Sequence, residues 1–303
     1  MSYVRSRIIL FNILGMCFAL LGYALFASAL FGNFEGFKIE VEQFNPLDQV
    51  LIAIALAYFT YAVWKTVFFG MKIIKFVKTK SDEDIIANRF ILAVYSLTLG
   101  GFVTPFMLTK IPNVDSQSTL NPRNEIAKVY TVNYVVGGAI LIGSFFAFGA
   151  SLNADFFSPT TQLASSIFLG ITGAGMLLGL IGGIFFWRKN SNEAYAKNGF
   201  MKFIAGIFIV IVTVELLLKI VSAIITIIQA IADIFQSGRQ NFLVSLLIWM
   251  QSMITIMYSF FLITICWATI KGIWSKEGVT MKEYAGLSKA QEKNGTVPSW
   301  KNN

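Results

Sequence analysis

RFILAVYSLTLGGFVTPFMLTK, residues 89–110, decides how many times this chain crosses a bilayer. The apolar run 90–109 reaches the ~20 residues that a helix needs to span the hydrocarbon. Gly100 and Gly101 stand at its centre, however, and Pro105 follows. Together they break a helix roughly ten residues in, ~15 Å along its axis and so near the bilayer midplane. Both flanks are basic, Arg89 before the run and Lys110 after it. The pattern predicts a re-entrant hairpin that enters and leaves on one face, with an ordinary kinked seventh span as the alternative.

Charge counting points the same way, because Lys and Arg collect in the cytoplasmic loops of membrane proteins. If every apolar segment crosses and the N-terminus is inside, the loops and tail hold 8 Lys and Arg inside and 14 outside, the wrong sign. If 90–109 does not cross, the split becomes 20 inside and 2 outside. Leaving out 134–156 instead gives 17 and 5, so charge alone does not choose between the two. The Gly-Gly pair and Pro105 single out 90–109.

Outward from this stretch, apolar segments recur at 8–31, 50–69, 134–156, 163–187, 203–235 and 242–274, separated by short polar breaks. Hydrophobic residues make up 56% of the 303 and charged residues 13%, about half the charged share usual in a soluble globular protein. The expected fold is all-α: a polytopic transmembrane helix bundle of six spans plus one re-entrant or seventh span, ending in a long C-terminal helical hairpin. Residues 1–274 form one transmembrane domain, and 275–303, rich in polar residues, form a cytoplasmic tail. Ala27-Ser28-Ala29 resembles a signal-peptidase site, but the preceding apolar core is longer than the 7 to 15 residues of a secretory signal, which predicts a retained helix. The formal charge of +8 reports orientation here rather than nucleic-acid binding. The expected location is the cell membrane, with both termini cytoplasmic. The 18 Lys against 6 Arg, with abundant Phe, Ile and Asn, fit a bacterial source.

Two features of the spans carry more detail. Small residues repeat every four positions at Ala139, Gly143 and Ala147, and again at Gly175, Gly179 and Gly183. Such stripes let two helix backbones approach closely in lipid, so segments 134–156 and 163–187 are expected to pack through Gly143, Gly175, Gly179 and Gly183. Along 203–235, polar residues step by four and three through Glu215, Lys219, Ser222, Thr226, Gln229 and Asp233, continuing to Gln236. That is a heptad stripe on one helix face. Weakly polar Ser245, Ser252, Thr255, Ser259, Cys266 and Thr269 keep the same period on 242–274. The connection at 237–241 is short, so the two helices are expected to lie antiparallel with their stripes meeting.

Charged groups in membrane helices need partners. Glu215 stands four residues before Lys219, the favourable order for an ion pair on one helix. Lys65, near the end of 50–69, is expected to extend to the interface along its own stem. Both terminal segments run for about 33 residues, ~50 Å as helix and more than the hydrocarbon requires. With Trp249 placed at the outer interface, residues 230–248 are expected to project beyond it as an apolar tip, covered by residues 32–48 or by another subunit.

Chemistry is sparse. Histidine is absent, Cys17 and Cys266 both lie in apolar runs, and no phosphate loop, dinucleotide motif or paired intramembrane carboxylates can be found. No catalytic, cofactor or metal site is expected, and the protein is not expected to be an enzyme. The leading functional expectation is a non-catalytic membrane subunit that anchors or scaffolds a larger complex, with the lipid bilayer and other protein subunits as partners and no nucleic acid. The alternative is a small channel or secondary transporter for a solute or ion. Its polar path would run along 203–235 and past the re-entrant break at Gly100, Gly101 and Pro105.

Overall fold

The computed structural model describes residues 1–98, 104–111, 120–188, 191–237 and 242–274. Among them every regular element is an α-helix. In chain order these are α1 (Ser2–Gly32), α2 (Phe34–Glu42), α3 (Pro46–Thr79), α4 (Asp82–Ala87), α5 (Arg89–Thr98), α6 (Thr104–Leu108), α7 (Pro122–Ser151), α8 (Gln162–Phe186), α9 (Ser191–Lys197), α10 (Gly199–Ser237) and α11 (Phe242–Trp274). Six of them, α1, α3, α7, α8, α10 and α11, are long and apolar enough to cross a membrane. The chain is an all-α polytopic bundle.

Local sequence explains where the long helices begin. Asn45 precedes Pro46, and its side chain accepts the Asp48 N–H; Asn121 precedes Pro122 and accepts from the Arg123 and Asn124 N–H groups. An Asn N-cap followed by Pro at the first helical position satisfies orphan donors and presets φ. The second of these caps starts α7 at Pro122, twelve residues before the apolar segment 134–156 begins. That segment also ends early. Phe156 lies beyond α7 and folds back over Gly149, with its ring 4.6 Å from that of Phe145.

Neighbours in sequence are mostly neighbours in space: α1 packs on α3, α3 on α7, α7 on α8 and α10, and α10 on α11. The short helices α5 and α6 fill the gap between α11 and α1. At one end of the bundle, called basal here, Arg5 pairs with Asp82 and donates to the carbonyls of Val77 and Lys80 at 2.6 and 2.8 Å. Asn124 at the start of α7 donates to the Ser191 hydroxyl at 3.2 Å, at the same end. At the opposite end Asn153, just past α7, donates to Glu42 at the end of α2.

α5 and α6, the described parts of the stretch at 89–110, pack on each other as the two arms of a hairpin, with the connection outside the described residues. Arg89 Nη1 donates to the Ile111 carbonyl at 3.3 Å, which ties the two ends of the hairpin together at the basal end. Residues 85–97 are all buried, and α5 is packed on α3, α7, α10 and α11. A helix apolar on every side belongs inside a bundle. The Phe106 ring of α6 stacks on Phe261 of α11, centroids 4.0 Å apart. Gly100 and Gly101 lie outside the described residues; Pro105 is the second residue of α6, where its missing N–H is harmless.

At the basal end α10 reaches further than α7. Tyr130 of α7 meets Glu215 of α10. Above that contact both helices continue for roughly six turns, to Ser151 and Ser237 respectively. Below it α10 runs on for roughly four turns, against about two for α7. In that lower part Met201, Ile204, Ala205, Phe208, Ile209 and Val212 are buried in the main core. The tail, 275–303, lies outside the described residues.

Close packing of α7 on α8 uses Gly175 and Gly179 of the predicted stripes, together with Gly138 and Gly182, and not Gly143 or Gly183. A Cβ at Gly179 would meet the Thr131 carbonyl oxygen and Val135 at 2.9 Å, and one at Gly175 would meet Tyr134 at 2.8 Å. Gly182 faces Thr131, and Gly138 on α7 faces Met176. Gly143, by contrast, has nothing within 4 Å, and Gly183 faces Trp187 of its own helix. A period of four drifts around a 3.6-residue helix, so one stripe cannot stay in one interface over three turns.

Candidate functional site

The polar groups of the spans converge on α10. Lys65 of α3 places its Nζ 3.2 Å from both carboxylate oxygens of Glu215. The Lys65 side chain is 8% exposed and that of Glu215 25%, so the pair is largely withdrawn from its surroundings. Tyr130 of α7 donates its hydroxyl to Glu215 Oε2 at 3.2 Å. The ammonium also lies 5.8 Å from the centre of the Tyr61 ring and 5.9 Å from that of Phe69, within cation–π range. Asn133 Nδ2 donates to the Tyr61 hydroxyl at 3.1 Å, while Asn133 Oδ1 is buried without a hydrogen-bond partner among the described residues.

This corrects two sequence expectations. Glu215 finds its counter-charge across helices, on Lys65, and not one turn along at Lys219. Lys65 does not extend to the interface; it is buried in the ion pair. One turn of helix separates Glu215 from Lys219, and Lys219 makes no salt bridge among the described residues.

A cavity of about 390 Å³ lies over the pair. Its walls come from four helices: Tyr58, Tyr61 and Lys65 of α3, Asn133 and Tyr134 of α7, Thr172 and Gly175 of α8, and Glu215, Leu218 and Lys219 of α10. Gly175 matters here, because a side chain at that position would run into the Tyr134 ring. A second cavity, of about 270 Å³, shares Lys219 with the first and continues past Ser222 and Thr226 of α10 and Thr255, Tyr258 and Ser259 of α11. A third, of about 390 Å³, shares Thr226 and Thr255 with the second and ends at Gln229, Asp233 and Gln236, opposite Gln251 and Ser252. The six stripe residues Glu215, Lys219, Ser222, Thr226, Gln229 and Asp233 thus line three successive cavities.

The helix repeat explains why one stripe serves two neighbours. A heptad pattern drifts about 20° per seven residues around a straight α-helix. Glu215 therefore faces α3 and α7, while Gln229 and Asp233, two and nearly three heptads on, have turned toward α11. The α10–α11 seam itself is made of small buried residues, Ala223 and Ala230 on one side and Ser252 and Ser259 on the other. The larger polar groups are thereby left beside the seam, in the groove. No protein-family model, curated protein or solved structure matches this chain.

The site is thus read from its own geometry. Near the base of the groove, Tyr95 of α5 packs against Phe69 and donates to the Glu125 carbonyl at 3.2 Å. Toward the opposite end Gln229, Asp233 and Gln236 stay exposed. Among the described residues no group of three or more His, Cys, Asp or Glu is placed to hold a metal. The arrangement offers hydrogen bonds and charge along one helix face, with a neutralised acid–base pair at its inner limit. Tyr61, Tyr130 and Asn133 were not among the residues singled out from sequence, and Lys65 was read only as an interfacial lysine. The N-cap at Asn121 is the signal that could have put Tyr130 and Asn133 inside a helix rather than in a loop.

Proposed function

We propose that this protein is a membrane-embedded pathway or binding cleft for a small polar solute or ion, built along α10 and closed at its basal end by the Lys65–Glu215 pair and the α5–α6 hairpin. The observation that carries the reading is the succession of cavities through Lys219 and Thr226, which gives the stripe space to face. Polar side chains directed at lipid would be costly, whereas polar side chains along a water-filled groove have a use. The unpaired Oδ1 of Asn133 adds a buried polar atom at the cavity wall that calls for a polar occupant. In this reading the basal end faces the cytoplasm of a bacterial cell, following the charge count, and both termini lie there.

The test is reactivity toward a charged, membrane-impermeant thiol reagent. Thiols introduced at Thr226 and Gln229 are expected to react, and thiols at Ile225 and Ile228, which are exposed on the outward face of α10, are expected not to. Equal silence at all four positions would overturn the pathway.

The anchoring role is the second reading, and it is favoured by the exposure of Gln229, Asp233 and Gln236. A polar helix from a partner subunit laid in the groove would satisfy these groups. In that case the stripe thiols would be shielded in the native membrane and would react only after the partner is stripped by detergent.

A further inference from the structure

Two charges in the groove make no salt bridge among the described residues, Lys219 at its inner part and Asp233 at its outer end. Glu215 is held by Lys65 and by the Tyr130 hydroxyl, so its negative charge is already answered. Lys219 lines both the first and the second cavity and has no counter-ion among the described residues. Asp233, the nearest other acid on the stripe, is fourteen residues further along α10, or ~21 Å. The other polar groups near Lys219 include the phenols of Tyr58 and Tyr134 and the hydroxyl of Thr172, which can turn a proton toward an anion, and the Asn133 amide, whose oxygen accepts.

We propose that the inner part of the groove selects a small water-soluble anion, such as a carboxylate or phosphate, with the Lys219 ammonium as its principal charge partner. This rests on the pathway reading above and narrows it to a substrate class. An ammonium with no counter-ion among the described residues, beside hydroxyls that can donate, favours a negative guest and repels a cation. The neutralised Glu215 keeps the site from presenting a competing negative charge. The Lys65–Glu215 pair is thus a positioning element: it leaves the net charge of the cavity at that of Lys219.

The experiment uses full-length protein in liposomes of zwitterionic lipid, with Cys17→Ser and Cys266→Ala removing the native thiols and Thr226→Cys placing one between the first two turns of the stripe above Lys219. Rates of modification by anionic sulfonatoethyl and cationic trimethylammonioethyl methanethiosulfonate are compared. The anionic reagent is expected to be favoured, relative to a free thiol in solution, and Lys219→Gln should lower the ratio roughly four-fold, the effect of one unit charge at ~10 Å on two oppositely charged reagents in water-like dielectric. Inorganic phosphate should slow the anionic reagent in the Lys219 protein and not in the Lys219→Gln variant. Reaction at position 226 with a ratio insensitive to Lys219→Gln would overturn anion selection while leaving the hydrated groove standing. No reaction with either reagent would overturn the pathway reading itself. An effect of phosphatidylglycerol in the liposomes, with none from phosphate, would assign Lys219 to a lipid headgroup and overturn the soluble guest.

Discussion

Removing the charges of Lys65 and Glu215 singly and together gives the sharpest test of how the bundle is held at its centre. Lys65 has 8% of its side chain exposed and lies 3.2 Å from both Glu215 oxygens. Glu215→Gln keeps the shape and the bond from Tyr130 but strands a buried ammonium, and breaking a buried pair from one side costs about 3–5 kcal/mol. Lys65→Met strands a carboxylate that is 25% exposed and still holds the Tyr130 hydroxyl, so its cost belongs near the lower end of that range. The double variant leaves no uncompensated charge and should lie within roughly 1–2 kcal/mol of the native protein. The coupling energy is then about 3 kcal/mol or more, over a hundred-fold in the folding equilibrium. Reversible unfolding in mixed micelles, titrated with a denaturing detergent and followed by circular dichroism, measures all four corners. The same cycle between Glu215 and Lys219, the pair that sequence spacing favours, should give no more than about 0.5 kcal/mol. A Lys219 coupling larger than the Lys65 coupling would refute the placement of the ion pair and, with it, the charge balance of the groove.

The other predictions concern packing and the hairpin. Gly179→Ala forces a Cβ onto the Thr131 carbonyl oxygen and should cost about 1–3 kcal/mol in the same unfolding assay, whereas Gly143→Ala, with open space around it, should change stability by less than about 0.5 kcal/mol. Gly138→Ala should fall between them, because the atom it meets belongs to the flexible Met176 side chain. Trp187→Phe keeps the ring against Gly183 but loses the 2.9 Å bond to the Thr131 hydroxyl, with an expected loss of about 0.6 kcal/mol, typical of such bonds in a membrane. Arg89→Gln weakens the tie to Ile111, and hydrogen exchange should quicken across α5; unchanged protection would show that the hairpin ends are held by something else.

Much of this was legible before the fold was known. The span count followed from the lengths of apolar runs and from where Lys and Arg gather, and both are properties of single segments measured against a bilayer. That the arms at 89–98 and 104–110 fold onto each other was the expectation drawn from Gly100, Gly101 and Pro105, although the glycine pair itself lies outside the described residues. The stripe from Glu215 to Asp233 was legible too, because its heptad step repeats too often to be overlooked. Its partners were not, since Lys65 lies 150 residues away. Nothing in the spacing of α3 marks that lysine as belonging to α10 rather than to the interface. Similarly, the glycine repeats announced close helix contact in general, but Gly143 and Gly138 are five residues apart on α7, and only the crossing of α7 over α8 decides which one is covered.

By itself, the sequence determined the solvent: long apolar runs with so few charges commit the chain to helices in lipid, because a bilayer offers the backbone no other hydrogen-bond partners. It also determined that one face of α10 would be polar. The tertiary structure alone decided what that face meets. Helices α3 and α7 bring Lys65 and Tyr130 to Glu215 and leave Lys219 without a counter-ion among the described residues, and the drift of a heptad stripe around a straight helix turns its far end toward α11. Pairing of charges across helices depends on distances of a few ångströms between distant segments, and such distances are set by packing rather than by any local pattern.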